Sequence, residues 1–170
     1  MIYENIKKIL WDMQISFDEI EHEESKTCDD SKRLRSEAWL EWIWSKNIVF
    51  HCKWNFYLVT TLWDKDIKAR NFKGEFGSKD IRFASADEIS QVLGNDAKIW
   101  SIPPFGFSNS EIPVFVDEEI FASEYFMFNP AISTKTIRVK TSDLMKVYEN
   151  MQNKVKLFKV GEEEFSVREV

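Results

Sequence analysis

The spacing of apolar residues along the chain changes repeatedly between three or four positions and two, which predicts a mixture of helices and strands. Helical spacing predicts helices over residues 2–13, 27–39, 85–94 and 141–151. Alternating runs, or runs rich in β-branched and aromatic residues, predict strands over residues 16–21, 47–51, 54–62, 81–84, 112–116 and 137–139. Because the elements do not follow a regular β-α-β order, the expected fold class is α+β, with helices flanking a mixed, mostly antiparallel, curved sheet.

Local signals sharpen several of these predictions. Lys53 separates two strand-forming runs and predicts a hairpin turn. Ser85 and Glu88 have the spacing of a capping box, which marks the start of a helix. Two adjacent prolines predict that residues 99–106 form neither a helix nor a central strand. The polar segment 64–76 is expected to form a helix that leads into a glycine loop.

Composition limits the classes of protein to which the chain can belong. With 170 residues, of which 44% are hydrophobic and 31% charged, it is expected to fold as one globular domain. The net charge of −6 disfavours a strong nonspecific nucleic-acid binder, but it is compatible with a local basic patch. No run approaches 18 apolar residues, so no membrane span is expected, and a cytoplasmic location is the prediction.

The few cysteines and histidines carry little information about chemistry. Cys28 and Cys52, with two histidines, do not have the spacing of a metal site, so neither a metal nor a cofactor is expected. Two reduced thiols are the favoured interpretation, while a disulfide stays open on the count alone. His22 is expected to be structural, and His51 to lie in a strand.

Six short segments, taken in their order along the chain, carry a family resemblance. They are SFDEIEHE (16–23), SKNIVF (45–50), IRFASADEI (81–89), SIPPFGFSN (101–109), FNPAISTKT (128–136) and TSDLMKVYE (141–149). Together they resemble the YbaK/ProX family, which is related to the editing domain inserted in bacterial prolyl-tRNA synthetases. The resemblance covers residues 2–151 and is greatest to the free-standing ProX-like members. It implies a domain over residues 1–153 and a C-terminal extension over residues 154–170, which is either a hairpin around Gly161 or partly disordered.

This resemblance implies a function in translation fidelity. Its members hydrolyse the ester between a wrong amino acid and the 3′ end of a tRNA, and ProX-like members typically act on alanyl-tRNA carrying the proline anticodon. A synthetase pocket built for a larger apolar residue cannot strongly exclude a smaller one, so a second site removes the errors. The implied partners are the acceptor end of a mischarged tRNA and, as a further possibility, an aminoacyl-tRNA synthetase. The implied reaction uses no metal.

The resemblance also implies site residues. Lys46 matches the family's catalytic-site lysine, whose ammonium is expected to hold the terminal phosphate or the ester oxygen, beside a pocket walled by the loop that contains Pro103 and Pro104. The implied substrate-binding residues are Trp100, Ser101, Ile102, Pro103, Pro104, Phe105, Gly106, Ser110, Asn129, Ser133 and Thr134.

Four of these positions depart from the family pattern. Trp100 replaces a glycine, Ser110 an aspartate, Asn129 a histidine and Ser133 an asparagine. Asparagine and serine can form hydrogen bonds but do not titrate near neutral pH. Two hypotheses follow: an active deacylase with altered specificity, or a catalytically impaired module of the same fold that binds tRNA or a partner protein.

Two further groups are candidates for contact with RNA. The basic residues Lys65, Lys68, Arg70 and Lys73 form either a solvated face or a surface for the RNA backbone. The tryptophans Trp39, Trp42 and Trp44 are expected to be core or partner surface, with a platform for stacking bases as the alternative.

Overall fold

The computed structural model describes residues 1–24 and 43–170, and it describes Ile43 through its backbone only. The helices in these residues are α1 (Ile2–Asp12), α2 (Lys73–Phe76), α3 (Ala86–Leu93) and α4 (Thr141–Asn150). The strands are β1 (Phe17–Glu21), β2 (Ile43–Cys52), β3 (Asn55–Leu62), β4 (Ile81–Phe83), β5 (Val114–Asp117), β6 (Tyr125–Phe128), β7 (Lys135–Lys140), β8 (Val155–Val160) and β9 (Phe165–Glu169). Two 3₁₀ turns occupy Ala69–Phe72 and Glu118–Ala122.

The strands form one mixed sheet in the order β1-β7-β6-β2-β3-β5-β8-β9, with β4 paired to β2. The β2–β6, β3–β5 and β5–β8 pairs are parallel, and the other pairs are antiparallel. Strand β2 is central because β3 follows one of its edges, while β6 and β4 share the other. The predicted α+β class with a mixed, mostly antiparallel sheet is therefore confirmed.

Side chains of β2, β3 and β5 alternate between two hydrophobic cores, one on each face of the sheet. Val49 and Leu58 belong to the first core, which α1, α3 and α4 cover. Phe50 and Val59 belong to the second core, where most of the packed side chains are aromatic. A residue's position along β2 thus determines on which face its side chain lies.

Helix α1 covers the first core with one apolar stripe. Ile2, Ile6 and Leu10 recur at helical spacing and are buried, with 6%, 0% and 0% of their surfaces exposed. Burying one such side chain stabilises the fold by about 1.5–3 kcal/mol. The stripe explains why the N-terminal segment docks as a helix, as its periodicity predicts.

Several other local predictions are confirmed. The hairpin turn lies at Lys53, which adopts a φ of +55°, and α3 begins with the predicted capping box. Residues 99–106 contain neither a helix nor a strand. The C-terminal hairpin is present as β8 and β9, whereas the division into residues 1–153 and an extension stays a prediction.

The helix predicted over residues 64–76 is wrong in its extent. Only a 3₁₀ turn at Ala69–Phe72 and the single turn of α2 form there. The reason is packing of the second core, since Phe72 and Phe76 both turn inward and contact each other and Phe115. In a straight helix, Lys68 would lie on the same inward face as Phe72, because the two residues are four positions apart. The two short turns bury Phe72 and Phe76 and leave Lys68 exposed.

The predicted helix over residues 27–39 lies outside the described residues, as do Cys28, Trp39 and Trp42. Cys52 is a buried free thiol in the second core. Within residues 1–24 and 43–170, no helix is long and apolar enough to cross a membrane.

Candidate functional site

The segment from Ser101 to Phe107 is irregular yet buried along its whole length. Two asparagine side chains hold its ends by donating to backbone carbonyls. The Nδ2 of Asn47 lies 2.9 Å from the oxygen of Ile102, and the Nδ2 of Asn5 lies 2.6 Å from the oxygen of Gly106. We call residues 101–107 the proline loop. It is fixed to both β2 and α1.

Asn47 is part of a small polar network inside the first core. Its Oδ1 accepts a hydrogen bond from the hydroxyl of Thr60 at 2.7 Å, and its Nδ2 also donates to Ser45 Oγ at 3.2 Å. Complete burial raises the pKa of Tyr148, whose hydroxyl faces Thr60, so this phenol stays neutral. These contacts hold the Asn47 amide with its nitrogen towards the proline loop.

Lys46 lies on the other face of β2, and this corrects the expected arrangement. It pairs with Thr61 of β3 on the face of the sheet that carries the second core. Its ammonium donates to the backbone oxygen of Lys65 at 2.9 Å. Because adjacent strand residues point to opposite faces, Asn47 meets the proline loop and Lys46 does not. The prediction that the Lys46 ammonium opens beside this loop is therefore wrong.

A buried acidic group occupies the face where Lys46 lies. Asp117, of which 1% is exposed, accepts hydrogen bonds from Thr61 at 2.6 Å and from Lys65 at 2.8 Å. Partial burial lowers the pKa of Lys65, but hydrogen bonds to Asp117 and Glu119 outweigh it and raise that pKa overall. Lys65 is therefore committed to an ion-pair cluster, while the other predicted basic residues, Lys68, Arg70 and Lys73, are exposed.

The turn between β6 and β7 brings together three of the predicted substrate-binding residues: Asn129, Ser133 and Thr134. The Oδ1 of Asn129 accepts a hydrogen bond from the backbone N–H of Ile132 at 3.1 Å, which stabilises the turn. The hydroxyl of Ser133 lies 3.4 Å from a carboxylate oxygen of Glu24. His22 donates its backbone N–H to the oxygen of Thr134, so the end of β1 supports this turn.

The His22 ring has a structural position, as the sequence predicts. Its Nδ1 lies 2.7 Å from the Glu23 oxygen, and its Nε2 lies 2.8 Å from the hydroxyl of Thr136. The carbonyl can only accept, so Nδ1 carries a proton and the ring is fixed in one orientation.

The β6–β7 turn adjoins the proline loop. The rings of Phe128 and Phe105 are 5.3 Å apart, so the end of β6 packs against the loop. Trp44 of β2 pairs with Met127 of β6 in parallel register, so the start of β2 runs beside the strand that leads into the turn. The loop and the turn are therefore in contact, and together with the start of β2 they make the candidate site.

Two further predicted residues flank the proline loop along the chain. Trp100 precedes the buried loop and is 44% exposed. Ser110 lies between Asn109 and Glu111, which line a groove with Trp54 at the tip of the β2–β3 hairpin. Ser110 is thus at the end of β3 remote from Thr61, and the structure does not bring it to the turn that holds Asn129.

Comparison with known proteins identifies the family. A model of the aminoacyl-tRNA editing domain matches residues 22–147, about three quarters of the chain. The chain belongs to this family. Its resemblance to the YbaK-like editing domains, predicted from six segments, is confirmed.

Solved structures show that the likeness in fold extends over the whole editing domain. One, described as a putative trans-editing enzyme for prolyl-tRNA synthetase, is 16% identical, covers 94% of this chain and 97% of its own, and gives a TM-score of 0.71. A hypothetical protein is 14% identical, with 89% and 96% covered and the same TM-score of 0.71. A scaffold protein from computational epitope grafting is 11% identical, with 95% and 97% covered and a TM-score of 0.73.

Sequence reasoning missed the two asparagines that hold the proline loop. Asn5 is separated from its partner by 101 residues and Asn47 by 55, so no local pattern marks either contact. The strand gives no clear signal either, since Asn47 follows two other polar residues, Ser45 and Lys46, and does not stand alone among apolar ones. In the part of the chain that the structure describes, no group of three or more His, Cys, Asp and Glu side chains could hold a metal ion.

Proposed function

We propose that this protein is an aminoacyl-tRNA deacylase that acts in trans on mischarged tRNA. The single observation that carries the proposal is the match of the editing-domain family to residues 22–147. The end-to-end likeness to a putative trans-editing enzyme supports the view that the domain works as a free-standing protein. The substrate we propose is a tRNA with the proline anticodon that carries alanine or another small amino acid. Such a substrate is found in the cytoplasm.

The proposed reaction is hydrolysis of an ester. Water attacks the carbonyl carbon of the aminoacyl group, and the bond from that carbon to the ribose oxygen breaks. The ribose oxygen takes up a proton that the attacking water has lost. The products are the free amino acid and uncharged tRNA. Backbone groups of the proline loop are suited to stabilising the oxyanion, because donors that are already fixed need no reorganisation as charge develops.

In this proposal, Lys46 binds the terminal phosphate of the tRNA. Holding the ester oxygen would require its ammonium beside the proline loop, but the ammonium lies on the opposite face of β2. Holding the terminal phosphate does not require that position, and a half-buried lysine near the strand edge is suited to it. Lys68, Arg70 and Lys73 are exposed and are proposed to contact the RNA backbone farther along.

The amino-acid pocket is proposed to lie at the β6–β7 turn. Asn129 stands there in place of the family's histidine, and the oxygen of its side chain is engaged by the Ile132 N–H. Its amide nitrogen is the remaining donor towards a bound aminoacyl group. Ser133 and Thr134 border the same turn. This arrangement favours recognition by hydrogen bonds over recognition by charge.

A second candidate is a domain that binds aminoacyl-tRNA without hydrolysing it. The positions of Lys46 and Trp100 favour it, since an indole stands where the family has a glycine and the lysine does not reach the proline loop. Both candidates predict binding of tRNA, and only the first predicts release of the amino acid.

The deciding experiment is a deacylation screen. Transcripts with the proline anticodon are charged separately with alanine, serine, cysteine and proline, and hydrolysis is followed with and without the protein. Loss of a non-cognate amino acid, with prolyl-tRNA spared, supports the deacylase. Retention of every ester together with saturable binding supports the second candidate, and the absence of both refutes the two.

Variants at two lysines test the role of Lys46. Replacement of Lys46 by alanine is expected to weaken tRNA binding, whereas Lys159→Ala, at an exposed position on β8, is the matched control. A decrease of the chemical rate with unchanged affinity for tRNA would contradict the phosphate role.

A further inference from the structure

We propose that Asn5 of α1 and Asn47 of β2 are positioning residues that fix the proline loop in its working shape. The inference rests on the proposed function, because it concerns the same hydrolytic site. It goes beyond that function by adding α1, which precedes the segment that matches the family, to the parts of the protein on which the reaction depends. Three observations carry it.

The first observation is that α1 binds residues 96–106, the segment that runs into the proline loop, at both ends. At the start of α1, the backbone N–H of Ile2 donates to the Asp96 carboxylate at 2.9 Å. One turn later, Asn5 donates to the Gly106 oxygen at 2.6 Å. Gly106 has a φ of +96°, and a Cβ there would lie 2.3 Å from Cγ1 of Ile6, so the loop backbone lies directly against the helix.

The second observation is the part-buried network of hydrogen bonds around Asn47. Its amide is held by Thr60 on one side and reaches the Ile102 oxygen on the other. A carboxylate at this position would place two acceptors, and no donor, against a carbonyl. The amide is therefore needed for its donor, and shape alone does not explain the residue.

The third observation is the chemistry of the loop between these anchors. Pro103 and Pro104 have no N–H group and a nearly fixed φ, so Phe105 and Gly106 supply the only backbone donors between the two held carbonyls. With both ends bound and two φ angles fixed, the loop has little freedom to turn those N–H groups. The direction in which they point thus depends on Asn5 and Asn47.

Isosteric variants test the inference, with Asn150→Asp as the control. The control removes an amide-to-carbonyl bond of 2.8 Å within α4 and adds the same charge. Hydrogen exchange of peptides spanning residues 101–107 is measured first, because it needs no substrate. Both Asn5→Asp and Asn47→Asp are expected to speed this exchange about tenfold, as loss of one part-buried hydrogen bond predicts, while the control leaves it unchanged.

Kinetics and pH separate positioning from a general loss of structure. In single-turnover deacylation, both aspartate variants should lower the rate about tenfold, with the affinity for tRNA unchanged. A neutral carboxyl can donate to a carbonyl and a carboxylate cannot, so the deficit should shrink as the pH falls from 7.5 to 4, into the range where aspartate takes up a proton. Alanine at the same two positions offers no donor, so its deficit should be the same at every pH.

The outcomes distinguish the inference from the proposed function. Unchanged exchange in the loop overturns the inference even if the wild type is active. A deficit that appears only in affinity, or that is equally large for aspartate and alanine at every pH, also overturns it. If the wild type hydrolyses no charged tRNA, the proposed function fails, while the exchange data still decide whether the two amides hold the loop.

Discussion

Replacing Gly106 by alanine tests how closely α1 packs on the proline loop. Two costs follow from the structure. A φ of +96° is unfavourable for a residue with a Cβ, by about 1–2 kcal/mol. The new methyl would also lie 2.3 Å from Cγ1 of Ile6 and 3.2 Å from its Cδ1, and overpacking of this kind costs about 1–3 kcal/mol. The expected loss in the free energy of unfolding is therefore about 2–5 kcal/mol.

Two other glycines separate these costs. Gly77 has a φ of +78°, and a methyl added there would have nothing within 4 Å, so Gly77→Ala should show the backbone cost alone, about 1–2 kcal/mol. Gly74 lies in α2 with open space and no positive φ, so Gly74→Ala should stabilise by up to about 1 kcal/mol. Urea unfolding at pH 7 measures all three, with the m-value as a check that the transition stays two-state.

A double variant completes the test. Ile6→Ala removes the atom that a methyl at position 106 would strike, so combining it with Gly106→Ala should cost less than the sum of the two single losses. Two results would refute the reasoning. One is a loss for Gly106→Ala within about 0.5 kcal/mol of that for Gly77→Ala, and the other is strict additivity in the double variant.

Three other predictions concern the site and the surface. Combining Trp100→Gly with Asn129→His restores the family pattern and should raise hydrolysis of alanyl-tRNA bearing the proline anticodon above either single variant, measured by single-turnover assay; equal rates would place Trp100 outside the pocket. Hydrolysis should survive EDTA, and its loss in EDTA with recovery on added zinc would reveal a missed site. The bidentate hydrogen bond from Arg82, then the Ser85 N–H, lowers the pKa of Glu88 to about 2, so its stabilising effect is present above pH 4.5 and is lost as the pH falls towards 2. Urea titrations should therefore show Glu88→Gln to be destabilising at pH 6 but nearly neutral at pH 2, and an equal loss at both pH values would contradict this.

The elements that could be predicted from sequence are those whose causes are local. The capping box of Ser85 and Glu88 uses atoms three residues apart, and α1 follows from one apolar stripe. The short turns within residues 64–76 could not be predicted, because the inward positions of Phe72 and Phe76 depend on rings from distant strands.

In the candidate site, too, the contacts between distant segments could not be predicted from sequence. The proline loop and the β6–β7 turn, which the family segments both assign to substrate binding, pack against each other through Phe105 and Phe128, while their role in binding stays a prediction. The face of Lys46 was predicted wrongly, because alignment matches positions along a strand and does not say on which side a neighbouring loop packs. Asn47, one residue later, is the one that meets the loop.

The contact between α1 and the proline loop also affects how the chain folds during synthesis. Asn5 emerges from the ribosome 101 residues before Gly106, which at ordinary rates of translation is a delay of about 5–20 s. For most of that interval the stripe of Ile2, Ile6 and Leu10 lacks its partners from residues 94–107. The N-terminal helix is therefore among the first segments to be made, but its apolar face lacks these partners until residues 94–107 have followed, and apolar surface exposed in this way is prone to aggregation.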